Sequence, residues 1–258
     1  SIAAATAGGT GALLHAITSF IEPGQSILVP EYFWGPYKTI AEHTARKVET
    51  FSMFTEEGGF DLVSFEETLA AQLERQGRAL IIFNFPCNNP TGYSLDDDEW
   101  QELSLIVERQ AAKGPITFLV DLAYARFGAA GSERWVEHVE GLARCSQLLV
   151  AWSGSKAFAQ YGARVGALIA VHPDPDERAR LSAALGFACR GTWSNCNHQA
   201  MVAVTELLLD PGKRRRVTAE REVLKRLLHE RVDAFNEAAR ETELRYPRYE
   251  GGFFVSVF

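Results

Sequence analysis

Two patterns of apolar and polar positions alternate along most of the chain. Short runs rich in Val, Ile, Leu and Phe are typical of strands that are buried on both faces. The predicted strands are Ser26–Val29, Lys47–Phe51, Leu80–Phe83, Thr117–Asp121, Gln147–Trp152 and Gly166–Val171. Helical patterns separate them, at Gly11–Phe20, Trp34–Thr44, Leu62–Gln76, Asp96–Lys113 and Pro175–Phe187. This alternation predicts an α/β fold with a mostly parallel sheet sandwiched by helices.

The pattern changes near residue 210. Asp210 to Thr242 has the spacing of one long charged helix, and strand character returns from Arg245 to Phe258. We therefore predict a large domain over residues 1–209, followed over residues 210–258 by an interdomain helix and the beginning of a smaller α+β domain. Because the chain opens on Ser1 and stops inside the apolar run Phe253–Phe258, we expect a central portion of a longer protein that lacks both ends.

Composition narrows the class of ligand. The 258 residues are 47% hydrophobic, enough for a core of ordinary size, and the net charge of −7 argues against a nucleic-acid partner. No apolar run reaches the roughly 18 residues that span a membrane, and the start lacks the basic residues of a signal peptide. The four cysteines form no C-x-x-C pair and the six histidines show no metal-binding spacing. We expect a cytoplasmic protein without membrane or metal, acting on a small molecule.

Lys156 directly follows an apolar strand, in the segment Ser153-Gly154-Ser155-Lys156. A lysine in that position is poorly hydrated, which favours the uncharged, nucleophilic amine. The two serine hydroxyls and the nearby Arg164 suit a phosphate group. An amine beside a phosphate site is typical of enzymes that bind pyridoxal phosphate as a Schiff base. A solvated loop lysine is the alternative.

Two further polar residues follow other predicted strands. Asp121 ends one strand shortly before Tyr124, and Asn89 follows another in Asn88-Asn89-Pro90-Thr91-Gly92. Because the carboxyl ends of parallel strands line one crevice, we expect Asn89, Asp121 and Lys156 to converge. Asp121 would pair with a pyridinium nitrogen, while Asn89 and Tyr124 would donate hydrogen bonds to a phenolate oxygen. A helix cap at Asp121 and an ordinary turn at Asn89 are the alternatives.

Gly8-Gly9-Thr10-Gly11 opens the first predicted helix. Backbone N–H groups and the helix dipole favour an anion there, although the segment is neither a P-loop nor a dinucleotide fingerprint. The aromatic cluster of Tyr32, Phe33, Trp34 and Tyr37 could supply a ring to stack on a flat cofactor. Core packing is the alternative for each of them.

These motifs, in this order, resemble the class I/II aminotransferases of the fold-type I pyridoxal-phosphate enzymes, the aspartate aminotransferases in particular. The resemblance runs from about Gly8 to Phe253. It implies that Lys156 binds pyridoxal 5'-phosphate and shuttles a proton, that Asp121 pairs with the ring nitrogen, and that Asn89 and Tyr124 hold the phenolic oxygen. The residues that match the phosphate cup are Gly9, Thr10, Ser153, Ser155 and Arg164. Trp34 matches the stacking ring, with Phe33 as the alternative.

The resemblance also implies a homodimer with shared active sites. Arg190 matches the arginine that reaches into the partner's site to bind a side-chain carboxylate, which indicates aspartate or glutamate as the amino-acid substrate. The family resemblance also allows an aromatic amino acid, and the second substrate would be a 2-oxo acid. A surface arginine is the alternative at Arg190. The arginine for the α-carboxylate would lie beyond Phe258. Two other functions stay open at this point, another fold-type I enzyme such as a lyase or decarboxylase, and the effector-binding domain of a transcription regulator.

Overall fold

The computed structural model describes all of residues 1–258. One seven-stranded sheet runs through it, in the spatial order β1-β7-β6-β5-β4-β2-β3. The strands are β1 (Ile2–Ala7), β2 (Ser26–Pro30), β3 (Lys47–Phe51), β4 (Ala79–Phe83), β5 (Ile116–Asp121), β6 (Gln147–Ser153) and β7 (Val165–Val171). Strands β2 to β6 pair in parallel, and β7 is antiparallel to both β6 and β1. The predicted fold class is confirmed, and the six predicted strands form within one residue of their expected bounds.

Helices cover both faces of the sheet. They are α1 (Gly8–Phe20), α2 (Pro36–His43), α3 (Leu62–Gln76), α4 (Asp97–Ala111), α5 (Val139–Cys145), α6 (Gly154–Ala157), α7 (Pro175–Thr192), α8 (His198–Leu209) and α9 (Pro211–Ala239). Successive side chains along a strand point to opposite faces of the sheet, so alternate residues are buried in two separate cores. In β4, Ile81 and Phe83 pack towards α3 and α4, whereas Leu80 and Ile82 pack towards α1 and α2. The sheet is therefore apolar on both faces.

Strand β1 was not predicted. Its sequence, Ile-Ala-Ala-Ala-Thr-Ala, is rich in alanine, which has little preference for strands. It becomes a strand by pairing with β7 over its whole length, from Ile2 opposite Ala170 to Ala7 opposite Val165. This pairing places Gly8, at the start of α1, beside the end of β6.

The prediction of strand character from Arg245 to Phe258 is wrong. The segment pairs with no strand and runs over the surface, where Phe253 and Phe254 place their rings 5.3 and 5.8 Å from the Tyr124 ring. Its apolar pattern reflects contact with other aromatic rings instead of burial in a sheet. The predicted division of the chain at residue 209 stays a prediction.

Three parallel strands end at one edge of the sheet. There β4, β5 and β6 finish at Phe83, Asp121 and Ser153, and α1 begins beside them at Gly8. None of the helices is both long and apolar enough to cross a membrane.

Candidate active site

A pocket opens at this edge of the sheet. The carboxyl ends of parallel strands are a common position for sites that bind small molecules. The residues that line it are Gly9, Thr10, Leu13, Trp34, Asn84, Asn89, Asp121, Ala123, Tyr124, Ser153, Ser155, Lys156, Tyr161 and Arg164. All ten residues that the sequence predicts for the cofactor are among them.

Asp121 forms the floor of the pocket. Its side chain ends β5 and the residue is only 5% exposed. Oδ2 accepts a hydrogen bond of 2.7 Å from the hydroxyl of Tyr37, and Oδ1 accepts one of 3.0 Å from the backbone N–H of Ala123. No lysine or arginine forms an ion pair with this carboxylate. Burial raises the pKa of Asp121 to about 6, although both hydrogen bonds act in the opposite direction.

Lys156 lies on the rim of the pocket. The short helix α6 carries it, and the Ser153 side chain caps that helix by accepting a hydrogen bond from the backbone N–H of Ser155. The Nζ atom is 4.4 Å from the centre of the Tyr161 ring and 5.7 Å from that of Tyr124. Lys156 forms no ion pair with a carboxylate. The amine therefore faces the pocket between two aromatic rings and is free to react with a ligand.

Arg164 and the start of α1 form a cradle for an anion. The guanidinium donates from Nη1 to Ser155 Oγ at 3.3 Å and from Nη2 to Thr10 Oγ1 at 3.4 Å. Gly8 has a φ of +71°, and a side chain there would collide with the Arg164 guanidinium. A glycine therefore lets Arg164 approach the first turn of α1, where free backbone N–H groups also favour an anion.

Asn89 and Tyr124 lie on another side of the pocket. Asn89 Nδ2 donates to the Tyr124 hydroxyl at 3.4 Å. The backbone N–H of Asn89 donates to Asn84 Oδ1 at 2.9 Å, and Asn84 Nδ2 donates to the backbone carbonyl of Asp121 at 3.0 Å. Asn84 thus ties the loop of Asn89 to the end of β5. Burial raises the pKa of Tyr124, so its hydroxyl keeps its proton.

Trp34 and Phe33 are the two candidates for the stacking ring, and the structure distinguishes between them. Both rings pack against the buried core beneath α1 and α2, but only Trp34 lines the pocket. Trp34 is therefore the ring in a position to stack on a ligand.

Arg190 lies apart from this pocket. It occupies the last turn of α7, is exposed, and donates a hydrogen bond to the Ser194 hydroxyl. Its expected contact with the site of a partner subunit stays a prediction.

Two residues of the site, Asn84 and Tyr161, were not predicted, and Tyr37 was considered only as a stacking ring. Tyr37 holds Asp121, Asn84 holds the loop of Asn89, and the ring of Tyr161 lies beside Lys156. Asn84 follows β4 directly, so the rule that polar residues after strands line the crevice would have found it. Tyr37 lies inside a helix, and no local pattern marks it as a hydrogen-bond partner of Asp121.

Comparison with known proteins establishes the family. The family model described as "Aminotransferase class I and II" matches residues 2–258. The chain therefore belongs to the class I and II aminotransferases, and the predicted family is confirmed.

Curated relatives and solved structures agree with this membership. The chain is 30% identical over 224 residues to an aromatic-amino-acid aminotransferase of Paracoccus denitrificans, a match that covers 86% of this chain and 55% of the relative. It is 28% identical to an aspartate aminotransferase of Salmonella typhi, covering 97% of this chain and 63% of the relative. The crystal structure of an aminotransferase from Anaerococcus prevotii superposes with a TM-score of 0.94 at 34% identity, covering 99% of this chain and 63% of that one. The chain thus spans between about half and two thirds of the length of these relatives.

The class I and II aminotransferases depend on pyridoxal phosphate, and the chemistry of this pocket fits that cofactor. Asp121 is a buried carboxylate without a cation of the chain beside it, which suits a protonated pyridine nitrogen. The cradle of Arg164 and α1 suits a phosphate group. The Lys156 amine suits a carbonyl carbon.

Proposed function

We propose that this chain forms the cofactor-binding part of an aminotransferase, which moves an amino group between an amino acid and a 2-oxo acid. The observation that carries the proposal is that one pocket holds a free lysine amine, a buried carboxylate without a cation and an anion cradle. The named relatives are aromatic-amino-acid and aspartate aminotransferases, so aspartate, glutamate or an aromatic amino acid is the proposed substrate.

Each side of the pocket would hold one part of the cofactor. Asp121 would pair with the ring nitrogen, Asn89 and Tyr124 would donate to the phenolic oxygen, and Trp34 would stack on the ring. The residues that would bind the phosphate are Gly9, Thr10, Ser153, Ser155 and Arg164. When bound, pyridoxal phosphate supplies a positively charged ring that draws electrons from the substrate's α-carbon.

Lys156 would have two tasks. Its amine would hold the cofactor at the carbonyl carbon. The Nζ atom would also accept the proton of the substrate's α-carbon. The Tyr161 and Tyr124 rings beside Nζ would keep the amine over the pocket through both tasks.

Assembly, location and substrate side chain complete the proposal. The resemblance to dimeric enzymes supports a homodimer in which Arg190 reaches the partner's site and binds a side-chain carboxylate. Its exposed position on α7 leaves it accessible to a partner. A cytoplasmic location is proposed from the same resemblance.

The decisive experiment is to replace the lysine. In the whole protein loaded with pyridoxal phosphate, Lys156→Ala should abolish both the covalent attachment of the cofactor and the formation of 2-oxo acid from aspartate, glutamate or phenylalanine. Borohydride reduction followed by peptide mass spectrometry measures the attachment, and chromatography of the products measures turnover. Lys113→Ala, which removes an exposed lysine outside the pocket, is the matched control and should retain both.

Substantial turnover in Lys156→Ala would contradict the proposal. Release of carbon dioxide or cleavage products instead of a 2-oxo acid would indicate a decarboxylase or lyase. Attachment of the cofactor without turnover of any amino acid by the whole protein would favour an effector-binding domain.

A further inference from the structure

Tyr37 is a buried residue with a single polar contact. It lies in the first turn of α2 and is 1% exposed. Its hydroxyl donates to Asp121 Oδ2 at 2.7 Å, the usual distance for a hydrogen bond between an O–H group and a carboxylate. Burial and the neighbouring carboxylate both raise the pKa of Tyr37, so the phenol keeps its proton and acts as the donor.

The ring of Tyr37 is held independently of that hydrogen bond. The Trp34 ring is nearly perpendicular to it at 5.6 Å between ring centres, and Phe33 stacks on it at 6.4 Å. Pro36 starts α2 one residue before Tyr37 and fixes the backbone there. The hydroxyl is therefore directed at Asp121 by the packing of the surrounding segment.

Asp121 depends on this donor. A buried carboxylate is costly unless it is hydrogen-bonded or paired, and within the chain Asp121 has only Tyr37 and the N–H of Ala123 as partners. A hydrogen bond to the charged form favours ionisation. Loss of the hydroxyl would leave Oδ2 without a donor in the same apolar surroundings.

We propose that Tyr37 is a positioning residue, whose hydroxyl keeps Asp121 ionised and correctly oriented beneath the ligand ring. The segment from Phe33 to Tyr37 then serves the pocket twice, through the stacking ring of Trp34 and through the support of Asp121. The role towards pyridoxal phosphate rests on the proposed function, whereas the effect on the ionisation of Asp121 does not.

The test is Tyr37→Phe, which removes the hydroxyl and keeps the ring. Carbon-13 NMR of labelled aspartate carboxyl groups in the cofactor-free protein follows the titration of Asp121, and Asp121→Asn identifies its signal. We expect the midpoint of this titration to move to higher pH in Tyr37→Phe. The affinity for pyridoxal phosphate should fall roughly tenfold, the loss that one hydrogen bond to a charged group produces.

Tyr93→Phe is the matched control. Tyr93 is also fully buried and its hydroxyl also donates to a carboxylate, that of Glu99, but neither residue lines the pocket. This variant should lose a comparable amount of stability without moving the Asp121 titration. A purely structural role for Tyr37 predicts that Tyr37→Phe behaves in the same way, and that result would overturn the proposal.

Two further outcomes are decisive. If Tyr37→Phe does not fold, Tyr37→His restores a ring N–H donor, and its midpoint should be no higher than that of the wild type; a higher midpoint would contradict the proposal. If the wild-type protein does not bind pyridoxal phosphate, the proposed function fails. The titration of the cofactor-free variants then still decides whether Tyr37 controls Asp121.

Discussion

The floor and the rim of the pocket are built in opposite ways. On the floor, Tyr37, Asn84 and Asp121 are 1%, 3% and 5% exposed and are joined by hydrogen bonds. On the rim, Lys156 and Arg164 are only partly buried, and Tyr161 between them is 64% exposed. The floor carries a negative charge in an apolar setting, whereas the rim carries positive charge close to solvent.

This difference separates two requirements of the proposed chemistry. A charge that must stay fixed beneath a ring benefits from burial, because the surrounding groups are already oriented before the ligand binds. Groups that capture a phosphate and exchange a covalent partner need access to solvent and ligand. The floor lowers the stability of the folded protein, because a buried, ionised carboxylate is unfavourable until a cation binds beside it.

Among the substitutions that test this contrast between floor and rim, Asp121→Asn has the largest expected effect. The amide keeps the shape of the side chain and one of its two acceptor oxygens but cannot balance a charged ring nitrogen. We expect turnover of the whole protein to fall by at least about a hundredfold, because the electrostatic support of a reacting group is typically worth that much. Steady-state kinetics at saturating pyridoxal phosphate measure it, and turnover within a few-fold of wild type would show that the floor is not electrostatic in function.

The same variant should stabilise the cofactor-free protein. The pKa of Asp121 rises from 3.8 in the unfolded chain to about 6 in the folded protein, so the folded state holds its proton more tightly. Stability is therefore unaffected by Asp121 below about pH 3.8, falls as the pH rises towards 6, and stays reduced above it. The reduction corresponds to roughly 3 kcal/mol.

Urea unfolding at several pH values measures this reduction. The free energy of unfolding of Asp121→Asn should exceed that of wild type above pH 6, with the difference shrinking as the pH falls to 4. A difference that does not vary with pH would mean that the Asp121 charge is not the cause. One substitution would thus lower turnover and raise stability, which is the trade-off that the floor implies.

Some residues of the pocket could be predicted from the sequence and others could not. Residues directly after strands, such as Asp121 and Lys156, were predicted together because parallel strands end at one edge of the sheet. The contact of Tyr37 with Asp121 was not predicted, because it joins positions 84 residues apart in the chain, from a helix to a strand. Only the packing of α2 against the sheet brings them together.

Long-range contacts also explain the two errors in the predicted fold. The alanine-rich β1 forms through its pairing with β7, and the apolar segment Phe253–Phe258 finds aromatic rings instead of a strand. In both cases a long-range partner decides the local structure. Strands such as β4 and β5, whose residues are buried throughout and mostly apolar, were predicted to within one residue.

On the rim, Arg164→Ala should weaken binding more than turnover. Removing the guanidinium takes away the positive charge that faces Thr10 and Ser155, so the dissociation constant of pyridoxal phosphate should rise by about tenfold or more. Turnover per loaded site should change only a few-fold. Equilibrium dialysis measures the constant, with Arg144→Ala as the control for an exposed arginine outside the pocket. Unchanged affinity would remove Arg164 from the phosphate cradle.

Arg190→Ala has the smallest expected effect, because this residue belongs to neither the floor nor the rim of its own chain. Its exposed guanidinium donates to Ser194 and contributes little to folding, so the free energy of unfolding should stay within about 0.5 kcal/mol of wild type. If Arg190 serves a partner's site, kcat/KM for aspartate should fall about tenfold while that for phenylalanine changes little, since only aspartate carries a side-chain carboxylate. An equal loss for both substrates would show that Arg190 does not select the side chain, and no loss for either would make it an ordinary surface arginine.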